Sequence, residues 1–276
     1  MIADAPLIAF IGGGNMAASL IGGLIGAGHP ADAIRVAEPD AARAATLAKR
    51  FRVTTSGDNA AIIDGAAVIV VATKPQQVAS ALSGLRPAAG TTVLSIAAGV
   101  RIATLRALLG DVVVVRAMPN MPALFGAGIT GLFAETGASS LARSHAERLL
   151  DAAGAICWVA REELIDAVTA LSGSGPAYFF LLTEALGEAG VKLGLDEAVA
   201  RKLALHTFTG SARMAQDSGV DVATLRAQVT SKGGTTEAAL AVLEAGGLRT
   251  LFGEALAAAA RRGQQMGDEL AAGIRN

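Results

Sequence analysis

The chain has 276 residues, 52% of them hydrophobic, and 23 basic against 24 acidic residues give a net charge of −1. That length holds two domains with a large core, and the balanced charge leaves no electrostatic footprint for nucleic acid. One cysteine, Cys157, excludes an internal disulfide and fits a reducing compartment such as the cytoplasm; beside Trp158 it reads as a small buried hydrophobe.

Ala5–Ala31 carries no Asp, Glu, Lys or Arg, yet reads as neither a membrane span nor a leader. No basic residue precedes it, and Gly12, Gly13 and Gly14 break it into pieces too short to cross a bilayer. Leu7–Ile11 reads as a strand buried on both faces, and Asn15 opens a helix, so Gly12 to Ala17 spells G-x-G-x-x-A. In a dinucleotide-binding turn Gly12 makes the tight bend, Gly14 admits a diphosphate to the backbone, and small Ala17 lets helix and strand pack closely. The free amides of the helix N-terminus favour the anion.

A second strand, Ile34–Ala37, ends at Glu38-Pro39-Asp40 and is followed by a helix to Arg50. Glu38 stands about where such a fold sets a carboxylate on the adenosine ribose hydroxyls, where it repels a 2′-phosphate and favours NADH. Arg35 and Arg43 nearby weigh the other way. A short strand near Arg52–Thr54 leads through Gly57-Asp58-Asn59 into a helix ending at Ile63. The strongest strand, Ala67–Ala72, runs into Thr73-Lys74-Pro75, setting a lysine at the carboxyl end of a buried strand, where doubly wound sheets bind ligands.

Strand Thr92–Ile96 runs into Ala97-Ala98-Gly99, small enough to let a flat ring approach. Strand Val112–Ala117 runs into Met118-Pro119-Asn120, where the Asn120 amide offers both donor and acceptor. Strand Gly128–Phe133, helix Leu141–Ala153 and strand Ala155–Val159 complete a first domain, residues 1–161. This alternation predicts a largely parallel sheet covered by helices on both faces.

From Glu162 the strand signal stops, and residues 162–276 read as an all-helical second domain. Its helices fall at about 163–171, 176–190, 196–217, 221–228, 236–245 and 247–268. Ala238–Leu243 and Leu248–Ala260 are too apolar for one small bundle and point to a subunit interface. Ser231-Lys232-Gly233-Gly234-Thr235-Thr236 precedes a helix beginning near Glu237, so backbone amides there suit a carboxylate. His29, His145 and His206 stand in no catalytic context, and no metal is expected.

The stretches IGGGNMA, VVATKP, SIAAGV, MPNMP, LIDAVTALSGSGPAY and QVTSKGGTTEAAL, in this order, resemble pyrroline-5-carboxylate reductase over nearly the whole chain. The last two are the specific ones. The resemblance implies a 6-phosphogluconate dehydrogenase-like build, a Rossmann-type doubly wound parallel sheet followed by an all-helical C-terminal dimerisation domain. It implies reduction of 1-pyrroline-5-carboxylate to L-proline by NADPH or NADH, in the cytoplasm, with no membrane or nucleic-acid partner. The assembly it implies is a homodimer through the helical domain, the dimers joined in a ring.

By the same resemblance Gly12, Gly13, Gly14, Asn15, Met16, Glu38, Asn59, Ala72, Thr73, Lys74, Pro75, Ala97, Ala98, Gly99 and Asn120 bind the cofactor. Ser231, Gly233, Gly234, Thr235 and Thr236 grip the carboxylate of the cyclic imino acid, Glu162 approaches it, and the Thr236 hydroxyl is the catalytic contact to the ring nitrogen. Lys232 departs from the proline common at its position. A β-hydroxyacid dehydrogenase of the same build would carry a catalytic lysine on the first long helix of the second domain, and Leu164–Gly190 has none. A non-catalytic nucleotide sensor would not need the Ser231–Thr236 cradle.

Overall fold

The computed structural model describes residues 5–275, which form two compact units. The first comprises residues up to Ser174 together with those from Ala258 onward, and the second is Gly175–Ala257.

The first unit begins with β1 (Ile8–Ile11), all of it buried, because side chains on both pleat faces meet apolar partners. Ile8 and Phe10 join one hydrophobic cluster with Leu20 and Ile21 of α1 (Asn15–Gly26). Ala9 and Ile11 join the other, with residues of β4 (Val68–Val71) and of α3 (Asn59–Ile63). Between them come β2 (Ile34–Ala37), α2 (Ala41–Phe51) and β3 (Thr54–Ser56). After β4 follow α4 (Val78–Leu82), β5 (Thr92–Ser95), α5 (Ile102–Leu109), β6 (Val113–Met118), β7 (Gly128–Ala134), α6 (Ser140–Asp151) and β8 (Gly154–Trp158).

The strand order is β3-β2-β1-β4-β5-β6-β7-β8. The chain therefore winds outward in one direction from β1 and then in the other from β4, and ligands bind at the crevice between two such halves. Registry makes that crevice sharp: Ile11 lies level with Ala37 of β2 and Val71 of β4, so Gly12, Glu38 and Ala72 follow side by side.

All pairs are parallel except β6 with β7, which the sequence pattern does not reveal. The link between them is too short for a crossover helix and holds only a 3-10 segment, Met121–Phe125, so the chain must turn back. Cys157 is exposed on edge strand β8, which overturns its reading as a buried hydrophobe. The first unit ends in α7 (Leu164–Val168) and a turn of π-helix, Thr169–Gly173.

The second unit holds α8 (Gly175–Lys192), α9 (Glu197–Asp217), α10 (Val222–Gln228), α11 (Thr235–Ala245) and the first part of α12 (Leu248–Arg275), whose remainder belongs to the first unit. Small residues bring α8 and α9 together; a Cβ on Gly190 would sit 3.3 Å from that of Ala200. Phe179 stacks on Phe208 at 5.6 Å. Phe180 (64% exposed), Leu181 (65%) and Leu186 (58%) nevertheless face outward. The run Leu164–Lys192 is long and apolar enough to cross a membrane by length and composition.

Candidate active site

A cleft of about 470 Å³ opens at the carboxyl ends of β1, β2 and β4, and brings together Gly12, Gly13, Gly14, Glu38, Asn59, Ala72, Thr73 and Lys74. Gly12 must be glycine twice over: its φ is +100°, and a Cβ there would lie 2.7 Å from the Ala72 carbonyl oxygen. A Cβ on Gly13 would strike Leu47 at 2.5 Å, whereas one on Gly14 would meet nothing within 4 Å. Gly14 caps α1 with no side-chain hydrogen bond, so the first amides of that helix remain available to an anion. The Thr73 hydroxyl is buried and has no hydrogen-bond partner among the described residues. An uncapped helix start, a turn stripped of side chains and an orphaned hydroxyl together fit a dinucleotide diphosphate.

Glu38 is 5% exposed. Its Oε2 accepts from the Gly13 amide at 3.0 Å and from Arg43 Nη1 at 3.2 Å, and its Oε1 accepts from the Asp40 amide at 3.0 Å. Asp40 caps α2 through the amides of Ala42 and Arg43, and that contact with Arg43 holds its carboxyl below the usual range. Arg35 donates to the Asp64 carbonyl at 2.9 Å and does not line the cleft. Asn59 donates through Nδ2 to the Ala81 carbonyl at 2.8 Å.

Other residues expected at the cofactor, Asn15, Met16, Pro75, Ala97, Ala98, Gly99 and Asn120, do not line this cleft. Gly99 lies against α12, where a Cβ on Gly267 would come within 2.9 Å of the Gly99 carbonyl oxygen. Asn120 accepts from the Ile129 amide at 3.0 Å and donates to Ser172 Oγ at 3.1 Å, so it ties three segments together.

Glu162 Oε1 accepts from the Ile102 amide, the first of α5, at 2.8 Å and from Arg116 Nη1 at 2.9 Å. Arg116 is almost wholly buried on β6, and Asp166 on α7 is buried beside it. Burial raises the Asp166 pKa above its ordinary value, against the opposing pull of Arg116 and Arg101. Arg116 and Asp166 escape the sequence reading; the signal was a lone arginine inside the apolar run of β6, which must find a counter-charge.

Ahead of α11, Gly233 takes a left-handed φ of +72° and Gly234 caps the helix with no side-chain hydrogen bond. A Cβ on Gly234 would lie 2.5 Å from Ser231 Oγ, so glycine is what lets that hydroxyl sit over the helix start. Thr235 and Thr236 supply first-turn amides, and the Gly233 amide donates to Glu237 Oε2 at 2.6 Å. Half-buried His29 and His145, their pKa values lowered by burial, line a separate cavity at the amino ends of β1 and β4. Among the described residues no group of three or more His, Cys, Asp or Glu is placed to hold a metal.

A family model for pyrroline-5-carboxylate reductase dimerisation matches residues 162–266, and one for coenzyme F420-dependent NADP oxidoreductases matches residues 7–99. The pyrroline-5-carboxylate reductase of Pseudomonas aeruginosa is 46% identical over 268 residues, 96% of this chain and 98% of that one. This chain belongs to the pyrroline-5-carboxylate reductase family. The Haemophilus influenzae pyrroline-5-carboxylate reductase is 44% identical over 94% of this chain and 97% of its own length.

Among solved structures, a pyrroline-5-carboxylate reductase from Coxiella burnetii superposes with a TM-score of 0.89 at 41% identity, covering 95% of this chain and 99% of that one. Pyrroline carboxylate reductase from Plasmodium falciparum, solved with NADP bound, reaches 0.82 at 28% identity, covering 95% and 98%. The pyrroline-5-carboxylate reductase dimerisation match begins at Glu162, the residue that ties β6 to α5.

Proposed function

We propose that this chain reduces 1-pyrroline-5-carboxylate to L-proline with NADPH or NADH. The observation that carries the reading is the presence in one chain of a glycine-lined dinucleotide cleft and a Ser231–Thr236 carboxylate cradle, in a family whose members bear that name. When bound, the nicotinamide supplies the hydride that reaches the imine carbon.

The residues of the chain have the lesser task of binding, aligning and drying the reactants. Gly12, Gly13 and Gly14 hold the diphosphate together with the first amides of α1, those of Asn15 and Met16, whose side chains do not line the cleft. Glu38 and Asn59 meet the adenosine, Ala72, Thr73 and Lys74 border the cofactor within the cleft, and Pro75, Ala97–Gly99 and Asn120 lie outside it, Asn120 with its amide already engaged by Ile129 and Ser172. Ser231 and Thr235 hold the substrate carboxylate through their hydroxyls and the Thr235 amide, while Gly233 and Gly234, their amides engaged by Glu237 Oε2 and the Ser231 carbonyl, shape the turn beside it. The Thr236 hydroxyl hydrogen-bonds the ring nitrogen, which carries the proton that balances the hydride. Glu162 borders the substrate by keeping Arg116 and the start of α5 in place.

Residues 1–161 serve as the nucleotide domain and 162–276 as the helical domain for substrate and dimerisation. Phe180, Leu181 and Leu186, exposed on different sides of α8, support burial of that helix against a second copy rather than lipid. The dimers close into a ring in the cytoplasm. Replacing Thr236 with Val tests the catalytic contact: turnover falls while nucleotide affinity holds. Unchanged turnover contradicts that role.

A further inference from the structure

We propose that Glu38 makes this cleft selective for NADH, accepting a free adenosine 2′-hydroxyl and rejecting a 2′-phosphate. The inference rests on reading the cleft as a dinucleotide site, and it narrows that reading to one cofactor.

Position comes first. Glu38 directly follows β2, level with the glycine turn after β1, and a carboxylate there faces the adenosine ribose in sheets of this winding. The residue is also fixed. Turning its carboxylate away from the cleft would break three hydrogen bonds and leave the buried Gly13 amide without its acceptor. A carboxylate has about four acceptor positions, and the three donors leave one on Oε1 for a ribose hydroxyl.

The local charges point the same way. Arg43, the cation nearest this corner, is already shared between Glu38 at 3.2 Å and Asp40 at 3.8 Å, so the trio carries a net −1 before any ligand arrives. Arg35 is turned to the Asp64 carbonyl. Lys74 also lines the cleft, but it follows β4, and β1 lies between β4 and β2. A 2′-phosphate at this corner would meet a pinned carboxylate with no spare cation, a repulsive device that discriminates without weakening the favoured ligand.

Direct titration of the purified protein with NADH and with NADPH, followed by nicotinamide fluorescence, tests this without turnover. The wild type should bind NADPH weaker by on the order of tenfold to hundredfold, the scale of a like-charge contact. Glu38→Gln deletes the charge and keeps the shape, so the ratio of NADPH to NADH affinity should rise about tenfold, whatever the variant costs in NADH binding itself. Adding Arg43→Ala should remove that gain, because the freed guanidinium is the phosphate's new partner. Equal wild-type affinities, or a ratio that Glu38→Gln leaves unchanged, would overturn the proposal; the wild-type ratio decides the matter even if the variant fails to fold. NADH binding with the predicted ratio but no turnover of the imine would sink the proposed reaction and leave this inference standing, whereas binding of neither nucleotide would sink both.

Discussion

Replacing Glu162 with Ala removes the acceptor from the first amide of α5 and the counter-charge from Arg116. Arg116 has a side-chain exposure of 4% and Glu162 one of 24%. Breaking a fully buried ion pair costs about 3–5 kcal/mol. Here Glu162 keeps some contact with water, and Asp166 remains to face the guanidinium, so about 2 kcal/mol is the expected share. Loss of the hydrogen bond to the Ile102 amide adds about 1 kcal/mol.

The sum, about 3 kcal/mol, corresponds to a fall in Tm of about 6–12 °C. Glu162→Gln keeps an acceptor for the Ile102 amide and loses only the charge, so its cost should be about 1–2 kcal/mol. Urea unfolding followed by circular dichroism at pH 7 and fixed protein concentration measures both. The double variant Arg116→Met/Glu162→Ala should be less destabilised than Glu162→Ala alone, because no buried guanidinium is left without Glu162 and Asp166 still faces the pull of Arg101. A Glu162→Ala stability within about 0.5 kcal/mol of wild type, or a double variant more destabilised than Glu162→Ala alone, would refute the reasoning.

The glycine turn should divide by position. Gly12→Ala, forced to φ +100° with its Cβ on the Ala72 carbonyl, should lose about 1–3 kcal/mol of stability. Gly14→Val should unfold as the wild type does yet bind NADH at least about tenfold more weakly, since its side chain stands where the diphosphate approaches; unfolding curves and nucleotide titration separate the two. Asp166, whose folded pKa is raised from 3.8, favours the fold most when protonated. That contribution is complete below 3.8 and is lost as pH rises through the folded pKa, so the stability of Asp166→Asn relative to wild type should improve from acid toward neutral pH. A flat difference across parallel unfolding series would contradict this. Gly234→Ala should displace Ser231 Oγ and raise the KM for the imine with nucleotide affinity unchanged; an unaltered KM would remove Ser231 from the cradle.

Where the sequence was readable, one physical signal governed the local structure. Strand β1 could be read because a strand buried on both faces has no polar interruption, and the turn after it because only glycine tolerates its dihedrals and its contact with Ala72. The helices of the second unit follow their apolar period. Helix α4, with five residues, is too short to show one, and α5 hides its Ile102, Leu105 and Leu109 stripe in two turns. The reversal of β7 depends on connection length and not on pattern.

At the site, the position of Glu38 was legible and its partners were not. Whether Arg43 or Arg35 meets it is decided by side-chain direction, and the structure turns Arg35 to Asp64. Asn120 looked free for a ligand because its partners Ile129 and Ser172 are 9 and 52 residues away in the chain. A separation of 46 residues likewise hid the meeting of Glu162 with Arg116.

The most direct measurement is the oxidation of NADH and of NADPH, in separate cuvettes, on adding 1-pyrroline-5-carboxylate to the purified protein, with proline measured at the end. The account predicts turnover with proline formed in step with cofactor oxidised, and faster with NADH at limiting cofactor. Cofactor binding without proline from either nucleotide would contradict it.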